Sequence, residues 1–154
     1  MKLRFLVPAL IVLASAVALF GCGGDDDDST TTLNLVERAT TDTLQHVGPA
    51  KEDDSAGDVL AFANDVYDEN NKEKVGTDNG MCMRTAPGKA FECVWTVTLD
   101  EGQLTVEGPF YDAKDSVLAI TGGTGDYKEA GGEMTLHARN DKGTEYDFGY
   151  EIVK

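Results

Sequence analysis

Apolar and polar residues alternate through most of the chain after residue 31, and this pattern constrains the fold more than any other feature. A period of two is typical of β-strands with one buried face, and no later segment shows a helical stripe longer than one or two turns. Turn-prone pairs such as Pro87-Gly88 and Gly122-Gly123 separate the alternating segments. The predicted strands are 32–38, 59–67, 79–85, 91–99, 103–110, 117–121, 133–139 and 145–153.

This number of strands favours a closed barrel. We predict an all-β domain over 32–154, an eight-stranded antiparallel closed β-barrel, because closure removes exposed sheet edges. Eight strands leave room inside for side chains or one small ligand. The alternation defines three same-face rows: Leu60, Phe62, Asn64, Val66; Phe91, Cys93, Trp95, Val97, Leu99; Tyr146, Phe148, Tyr150, Ile152.

A polar residue interrupts the first of these rows. Asn64 shares its face with apolar neighbours, and a buried amide without partners costs roughly 1–3 kcal/mol. Asn64 is therefore either a structural residue with satisfied hydrogen bonds or a group directed at a ligand or a fixed water. We take Asn64, Phe62 and Trp95 as the candidate lining of a ligand site.

The N-terminus has the three regions of an export signal. Lys2 and Arg4 precede an uncharged apolar run over 5–20, and Gly21-Cys22 follows it. We predict a lipoprotein signal peptide over 1–21, rather than a transmembrane span, because 19–22 resembles a bacterial lipobox with Cys22 as the lipidated residue. An ordinary secreted protein is the alternative.

The segment 22–31 that follows is acidic and polar. It cannot bury apolar surface, so we predict a flexible tether between the lipidated cysteine and the barrel. The protein is then exported and membrane-anchored on the extracytoplasmic side of the bacterial cell envelope. No calcium-loop pattern accompanies its Asp run.

Acidic residues dominate the charge. The net charge is −15, and it becomes −17 without the signal, with 28 acidic against 11 basic residues. Such a surface repels nucleic acid, so we expect no nucleic-acid partner.

Two cysteines remain beyond Cys22. Cys82 and Cys93 lie in neighbouring predicted strands joined by a turn, so they could face each other across a hairpin. Outside the cytoplasm we expect a disulfide between them, worth on the order of 3 kcal/mol. The alternative is a free, reactive Cys82.

Common catalytic patterns do not occur. The chain has no Gly-x-Ser-x-Gly, and His46 and His137 have no spaced partners resembling a zinc site, so we predict no metal site. The glycine cluster 122–125 is not followed by the helix that a phosphate cradle requires, so we interpret it as a connection between strands and expect no cofactor.

Three blocks, in this order along the chain, resemble the allene oxide cyclase barrel family, whose relatives include dirigent proteins. They are 57–68 (GDVLAFANDVYD), 75–82 (VGTDNGMC) and 106–125 (VEGPFYDAKDSVLAITGGTG). The resemblance implies a barrel that folds a substrate into one conformer, an orientation effect. It also implies a homotrimer, which is common among these relatives.

The resemblance further assigns polar groups. Cys82 matches the family's cysteine, and Asn64 matches an asparagine that holds a water near the substrate. One alignment of the first strand puts Asn34 at the position of the catalytic glutamate and Val36 at that of an asparagine, whereas a shift of one or three residues makes Glu37 the acid. Glu37 and Cys82 are thus the catalytic candidates.

Three functions follow. The leading hypothesis is a membrane-anchored lipoprotein whose barrel binds a small hydrophobic or amphipathic ligand. The first alternative is an isomerase or dirigent-like protein that steers cyclisation or coupling of an unstable intermediate. The second is a structural, protein-binding lipoprotein with a filled barrel.

Overall fold

A computed structural model describes residues 29–48 and 54–154. Within them nine strands occur: β1 (Thr30–Arg38), β2 (Thr43–Gln45), β3 (Val59–Asp68), β4 (Lys74–Ala86), β5 (Ala90–Leu99), β6 (Gly102–Tyr111), β7 (Ser116–Gly125), β8 (Gly131–Ala138) and β9 (Glu145–Val153). The predicted signal peptide, Cys22 and most of the tether lie outside the described residues. The described part contains no helix that is long and apolar enough to cross a membrane.

Eight of these strands form a closed antiparallel barrel, as predicted. Neighbouring strands pair from β3 through to β9, β9 pairs with β1, and β1 closes the barrel against β3. The closing ladder is short, from Leu35 opposite Asp68 to Arg38 opposite Asp65. The three-residue β2, which we did not predict, pairs with the first residues of β3.

The barrel has two unlike ends. Thr30 pairs with Val153, so the described chain enters and leaves at one end, here called the terminal end. The opposite end, called the cavity end, carries the turns after β4, β6 and β8 and the long connection from β1 to β3. The two ends differ in how completely the interior is filled.

Inward side chains pack most tightly near the terminal end. Six apolar or aromatic ones have no exposed surface: Val66, Val97, Leu104, Val106, Met134 and Tyr150. Burying a side chain of this size stabilises the fold by about 1.5–3 kcal/mol relative to leaving it in water. All three predicted same-face rows point into the barrel, with Leu60, Phe62, Leu99 and Tyr146 only half buried at the ends of their strands.

Two strand boundaries differ from the prediction. β4 begins at Lys74, five residues earlier than predicted, and β7 continues through the glycine cluster to Gly125. These glycines therefore belong to a strand, and the turn follows them. A Cβ on Gly123 would lie 2.4 Å from the Tyr127 carbonyl oxygen and 2.6 Å from that of Gln103, so the close approach of the backbones requires glycine.

The first strand of the barrel begins earlier than predicted. β1 starts at Thr30, two residues before the predicted barrel boundary.

Candidate functional site

Asn64 fills a break in the sheet. β1 and β2 lie beside successive parts of β3, and residues 39–42 between them leave the ladder. The Asn64 Oδ1 atom accepts hydrogen bonds from the Thr40 amide (3.0 Å), the Thr41 amide (2.9 Å) and the Thr41 hydroxyl (2.9 Å). One side chain thus replaces backbone partners that the break removes.

The other half of the same amide holds two acids. Asn64 Nδ2 donates to Glu37 Oε1 at 2.7 Å and to Asp42 Oδ1 at 2.8 Å. Both amide protons are used, and the residue is 1% exposed. Of the two roles open to Asn64, the structure shows the satisfied structural one. Its amide positions the carboxyl groups, and the carboxyl groups face the cavity.

Glu37 is the acid that β1 turns inward. It alternates with Leu33 and Leu35 on the inner face, so Asn34 and Val36 lie on the opposite face of the strand. Asn34 is exposed to solvent. Of the alignments considered for the first strand, the structure supports those that make Glu37 the internal acid.

Glu37 and Asp78 form a buried carboxyl pair. Asp78 Oδ1 accepts a hydrogen bond from the Asn64 backbone amide at 3.1 Å, and the buried Glu37 carboxyl lies close enough to Asp78 for their charges to interact. Burial, followed by the charge of Asp78, raises the pKa of Glu37 well above its usual range. Burial also raises the pKa of Asp78 to about 6. Since two adjacent carboxylates repel each other, each disfavours the charged form of the other, and burial favours the protonated form of Glu37 further.

A second polar pair lies deeper. The Trp95 N–H lies near the Tyr150 hydroxyl, and neither atom has another hydrogen-bond partner among the described residues. Burial, together with the charge of Asp78, raises the pKa of Tyr150. Tyr150 therefore stays neutral. From Tyr150 towards the terminal end, buried side chains such as Leu104 and Met134 fill the interior.

A small cavity lies above this pair. Its volume is about 40 Å³, roughly the space of three water molecules. Rings and aliphatic side chains dominate its wall, and Glu37 and Asp42 are its only ionisable lining groups apart from the Tyr146 hydroxyl among the described residues. The lining residues are Glu37, Asp42, Leu60, Phe62, Cys82, Cys93, Trp95, Phe110, Leu136, Tyr146 and Phe148.

A glycine sets the shape of the inner wall. Gly80 stands between Phe62 and Trp95 in register, and a Cβ there would lie 2.3 Å from the Trp95 Cβ. Without that side chain the two rings meet edge to face, with centroids 6.1 Å apart. Trp95 also packs on Phe148, at 5.7 Å between centroids.

A larger depression, here called the vestibule, lies outside the cavity at the cavity end. It measures about 380 Å³ and shares Phe110, Leu136 and Tyr146 with the cavity. Phe110 and Tyr146 meet edge to face at 5.9 Å. These two rings therefore stand where a ligand would pass from the vestibule to Glu37. The two spaces together reach the size of ordinary ligand sites, roughly 300–1,000 Å³.

Tyr146 also faces the acids. Burial, with the charges of Glu37 and Asp42, raises its pKa to about 12. Its hydroxyl therefore stays protonated across the physiological range and can donate a hydrogen bond to a bound molecule.

The predicted disulfide is present. Cys82 and Cys93 lie directly opposite each other on β4 and β5 and are bonded, with Cα atoms 4.0 Å apart. Both line the cavity. Cys82 therefore presents a disulfide to the cavity, and the alternative of a free thiol does not hold in this structure.

Ion pairs and hydrogen bonds fix the described parts of the long connection from β1 to β3. The Arg84 guanidinium pairs with Asp54 (2.7 Å) and Asp112 (2.7 Å) and stacks on the Phe91 ring at 3.6 Å. Asp58, fully buried, accepts hydrogen bonds from the Val47 and Ser55 amides at 2.9 and 3.0 Å. These contacts fix the described parts of the connection to the barrel.

Neither histidine lies at the cavity. His46 Nδ1 is 2.8 Å from Asp58 Oδ2, and His137 Nδ1 is 2.7 Å from Asp115 Oδ1 on the exposed surface. No group of three or more His, Cys, Asp or Glu side chains in residues 29–48 and 54–154 is arranged to hold a metal ion.

The terminal end carries a different depression. A groove of about 820 Å³ lies between the first half of β1 and the start of β4, beyond the point where β3 ends. Four acids and one lysine line it, namely Asp68, Glu69, Asp100, Glu101 and Lys74. None of them is buried, so this groove lacks a group prepared for chemistry.

The structure thus brings together most of the residues predicted for the site. Phe62, Trp95, Cys82 and Glu37 line one cavity, and Asn64 lies directly behind it. Sequence reasoning missed Asp42 and Asp78. Asp78 interrupts the inward face of β4 as Asn64 interrupts that of β3, and this signal was lost because the strand was predicted to begin at residue 79.

Comparisons with known proteins agree with this architecture. The family model described as allene oxide cyclase matches residues 28–139. A pyocyanin demethylase of known structure is 27% identical, with a TM-score of 0.63, over 77% of this chain and 98% of that one. A pterocarpan synthase dirigent protein is 16% identical, with a TM-score of 0.65, over 81% and 94%. The Diels–Alderase AbmU from Streptomyces koyangensis is 11% identical, with a TM-score of 0.63, over 84% and 70%.

Proposed function

Because the chain belongs to the allene oxide cyclase family, we propose that its barrel binds a small, largely apolar molecule across the vestibule and cavity and steers its rearrangement or cyclisation. Glu37 is the general acid of this proposal. The observation that carries it is a buried carboxylic acid, held by Asn64 and lying beside Asp78, at the edge of a cavity whose wall is mostly apolar.

The environment of Glu37 suits an acid that acts at neutral pH. Its proton is retained because both burial and Asp78 disfavour the charged form. An acid in this state can donate a hydrogen bond, or its proton, to a carbonyl, epoxide or phenolic oxygen of a bound molecule. The surrounding rings would fix the conformer, which is where most of the rate enhancement in such a reaction arises.

The plant cyclase reaction itself is not the proposal. Cys82 lies in a disulfide and offers no thiol, and the cavity is too small for an extended chain without movement of Phe110 or Tyr146. The similar structures are named for unlike reactions, a demethylase, a pterocarpan synthase and a Diels–Alderase. One barrel architecture therefore serves several chemistries, and the site decides among them.

The test separates binding from chemistry. A panel of lipids, phenols and oxylipins would be screened by the fluorescence of Trp95, the one tryptophan in the sequence, and products would be sought by mass spectrometry and NMR. Glu37→Gln keeps the shape of the protonated acid but cannot give up a proton. We expect it to bind the same molecule and to lose turnover by about 10²–10⁴-fold.

Glu107→Gln is the matched control, because Glu107 is exposed on the outer face of β6. A panel without any binder would sink the proposal. If Glu37→Gln retains the turnover of the wild type, Glu37 is not the general acid.

Ligand binding without chemistry is the second candidate. The disulfide favours it, because it removes the one nucleophile near the cavity in the described part of the chain. This candidate predicts a bound molecule that is recovered unchanged from both the wild type and Glu37→Gln. The filled-barrel alternative predicts no bound molecule at all.

Anchoring through Cys22 remains part of the proposal. It rests on the signal pattern over 1–21 and the acidic tether behind it. Labelling expressing bacteria with an alkyne fatty acid should mark the wild type and leave Cys22→Ala unlabelled. A wild-type protein that is released unlabelled would support the secreted alternative.

A homotrimer is likewise proposed, and the outer face of β3 to β5 supports it. Met81 (58% exposed) pairs with Val94 (38% exposed) and with Ala61, which makes an exposed apolar strip on an otherwise acidic chain. Mass photometry should give three times the mass of one chain. Met81→Glu should reduce it to that of a monomer if this strip is the interface.

A further inference from the structure

The walls of the ligand site combine aromatic rings with negative charge. Five rings line the cavity: Phe62, Trp95, Phe110, Tyr146 and Phe148. Its acidic lining groups are Glu37 and Asp42, and no Lys, Arg or His belongs to this lining in the described residues. A molecule that enters therefore meets faces of rings and oxygen atoms, and no cationic side chain.

The vestibule continues this pattern. It carries three acids, Asp112, Asp115 and Asp141, against one base, Lys114. Arg84 pairs with Asp112, and His137 lies 2.7 Å from Asp115, so Asp141 is the acid of this set that a ligand meets without such a partner among the described residues. The Lys114 ammonium lies 4.1 Å from the centre of the Tyr111 ring. The vestibule thus already holds one cation on an aromatic face, which shows that its geometry suits such a contact.

Building on the proposed function, we infer that the ligand is a planar aromatic molecule that carries a positive charge, and that the site discriminates against carboxylates. A cation over an aromatic face gains roughly 0.5–2 kcal/mol, more where water is excluded. The rings of Phe110 and Tyr146, now in edge-to-face contact at 5.9 Å, would separate to admit a planar ring to the cavity.

Carboxylates are disfavoured for a separate reason. A carboxylate would be brought close to exposed Asp42 and to the buried Glu37–Asp78 pair. Among the described residues, no basic side chain of the cavity lining could pair with the carboxylate of a ligand. Like-charge repulsion and the loss of hydration would therefore both weaken its binding. The same argument separates this site from one that would bind a free fatty acid.

Three probes of nearly equal shape test the inference: N-methylquinolinium, quinoline and quinoline-2-carboxylate, which are cationic, neutral and anionic at pH 7.5. Binding would be measured by calorimetry and by quenching of Trp95. We expect N-methylquinolinium to bind at least about tenfold more tightly than the carboxylate, a difference of about 1.4 kcal/mol. Quinoline should lie between them.

The outcomes distinguish this inference from the proposed function. If quinoline or its carboxylate binds as tightly as the cation, the charge preference is wrong and the binding site stands. If none of the three binds, the binding site itself is overturned, and the inference falls with it.

Substitutions of single acidic residues test which of them causes the preference for a cation. Asp42→Asn keeps an oxygen for the Asn64 amide and removes a charge at the cavity, so it should narrow the gap between the cation and the carboxylate several-fold. Asp141→Asn, on an exposed turn of the vestibule, is a second variant for the case in which Asp42→Asn does not fold. Glu107→Gln removes the same charge from the outer face. An equal effect of Glu107→Gln would assign the preference to overall charge and would overturn the inference.

Discussion

The two halves of the barrel interior are made by the same eight strands, yet they differ in kind. Towards the terminal end, Val97, Leu104 and Met134 have no exposed surface and no ionisable neighbour on the inner face of their own strands. Towards the cavity end, Phe62, Phe110 and Tyr146 are half exposed around a space of about 40 Å³. The Glu37–Asp78 pair lies at the boundary.

This difference shows how one fold divides stability and function. The filled half has close-packed apolar contacts that stabilise the fold. This stabilisation offsets the free energy that the other half loses through buried polar groups and incomplete packing. An acid with a raised pKa needs both a dry environment and an opening to a ligand. The boundary between the two halves provides both, and neither half alone would do so.

The sharpest test of this division compares two leucines. Leu104→Ala, in the filled half, should lower the free energy of unfolding by about 4 kcal/mol, because the cavity it leaves is surrounded by rigid neighbours. Leu60→Ala, at the half-exposed wall of the cavity, should cost about 1 kcal/mol. Urea denaturation measures both. Equal losses would mean that the two halves are packed alike.

Asn64 tests the boundary itself. Asn64→Ala removes the partners of Glu37, Asp42 and the Thr40 and Thr41 amides, and it should cost about 2 kcal/mol. Asn34→Ala, exposed on the outer face of β1, is the matched control and should stay within about 0.5 kcal/mol of the wild type. If Asn64→Ala had the same free energy of unfolding as the wild type, water would replace the hydrogen bonds of the amide without loss of stability.

The carboxyl pair predicts how stability depends on pH. Since the folded-state pKa of Glu37 lies above its ordinary value of 4.5, the stabilisation is fully present below that value and is lost as the pH rises through the folded-state pKa. Asp78, with a folded-state pKa of about 6 against 3.8, adds a loss between those two pH values. The contribution of this pair to the free energy of unfolding should therefore fall from pH 4 to pH 8.

Glu37→Gln should flatten this dependence. Its amide oxygen can accept from Asn64, and the side chain carries no charge beside Asp78, so the variant should gain stability relative to the wild type at pH 8 and little at pH 4. Unfolding curves at both pH values measure the change. Glu107→Gln controls for the general repulsion among the acidic residues. The account of the pair would be wrong if both variants followed the wild-type slope.

The smallest effect concerns the ring between cavity and vestibule. Tyr146→Ala should cost only about 1 kcal/mol, since the side chain is half exposed. It should nevertheless increase quenching of Trp95 by acrylamide, because the cavity wall opens. Tyr127→Ala at the terminal end should leave the quenching unchanged. Similar quenching in both variants would place the access route elsewhere.

The sequence predicted most of the fold because alternation is local. The bounds of β9 were predicted to the residue, since Tyr146, Phe148, Tyr150 and Ile152 face inward in an unbroken row. β2 was missed because its three residues are all exposed and carry no alternation. The glycine cluster was misplaced because glycine favours turns and close strand contacts alike, and only the positions of Gln103 and Tyr127 decide between them.

The candidate site was less accessible to sequence reasoning. Phe62 and Trp95 could be predicted as lining because each belongs to an apolar row. The pairing of Glu37 with Asp78 joins strands that are not neighbours in sequence, and only the closure of β1 on β3 brings them together. Asn64 was recognised as exceptional, but its partners at Thr40 and Thr41 appear only when the break between β1 and β2 is known.

The pairing of Thr30 with Val153 has a consequence for the direction of ligand traffic. Any attachment at the N-terminus grips the barrel at its terminal end, whereas the vestibule opens at the other end of the same strands. If the protein is anchored through its N-terminus as proposed, a ligand would reach Glu37 at the end of the barrel opposite to the one where the described chain begins.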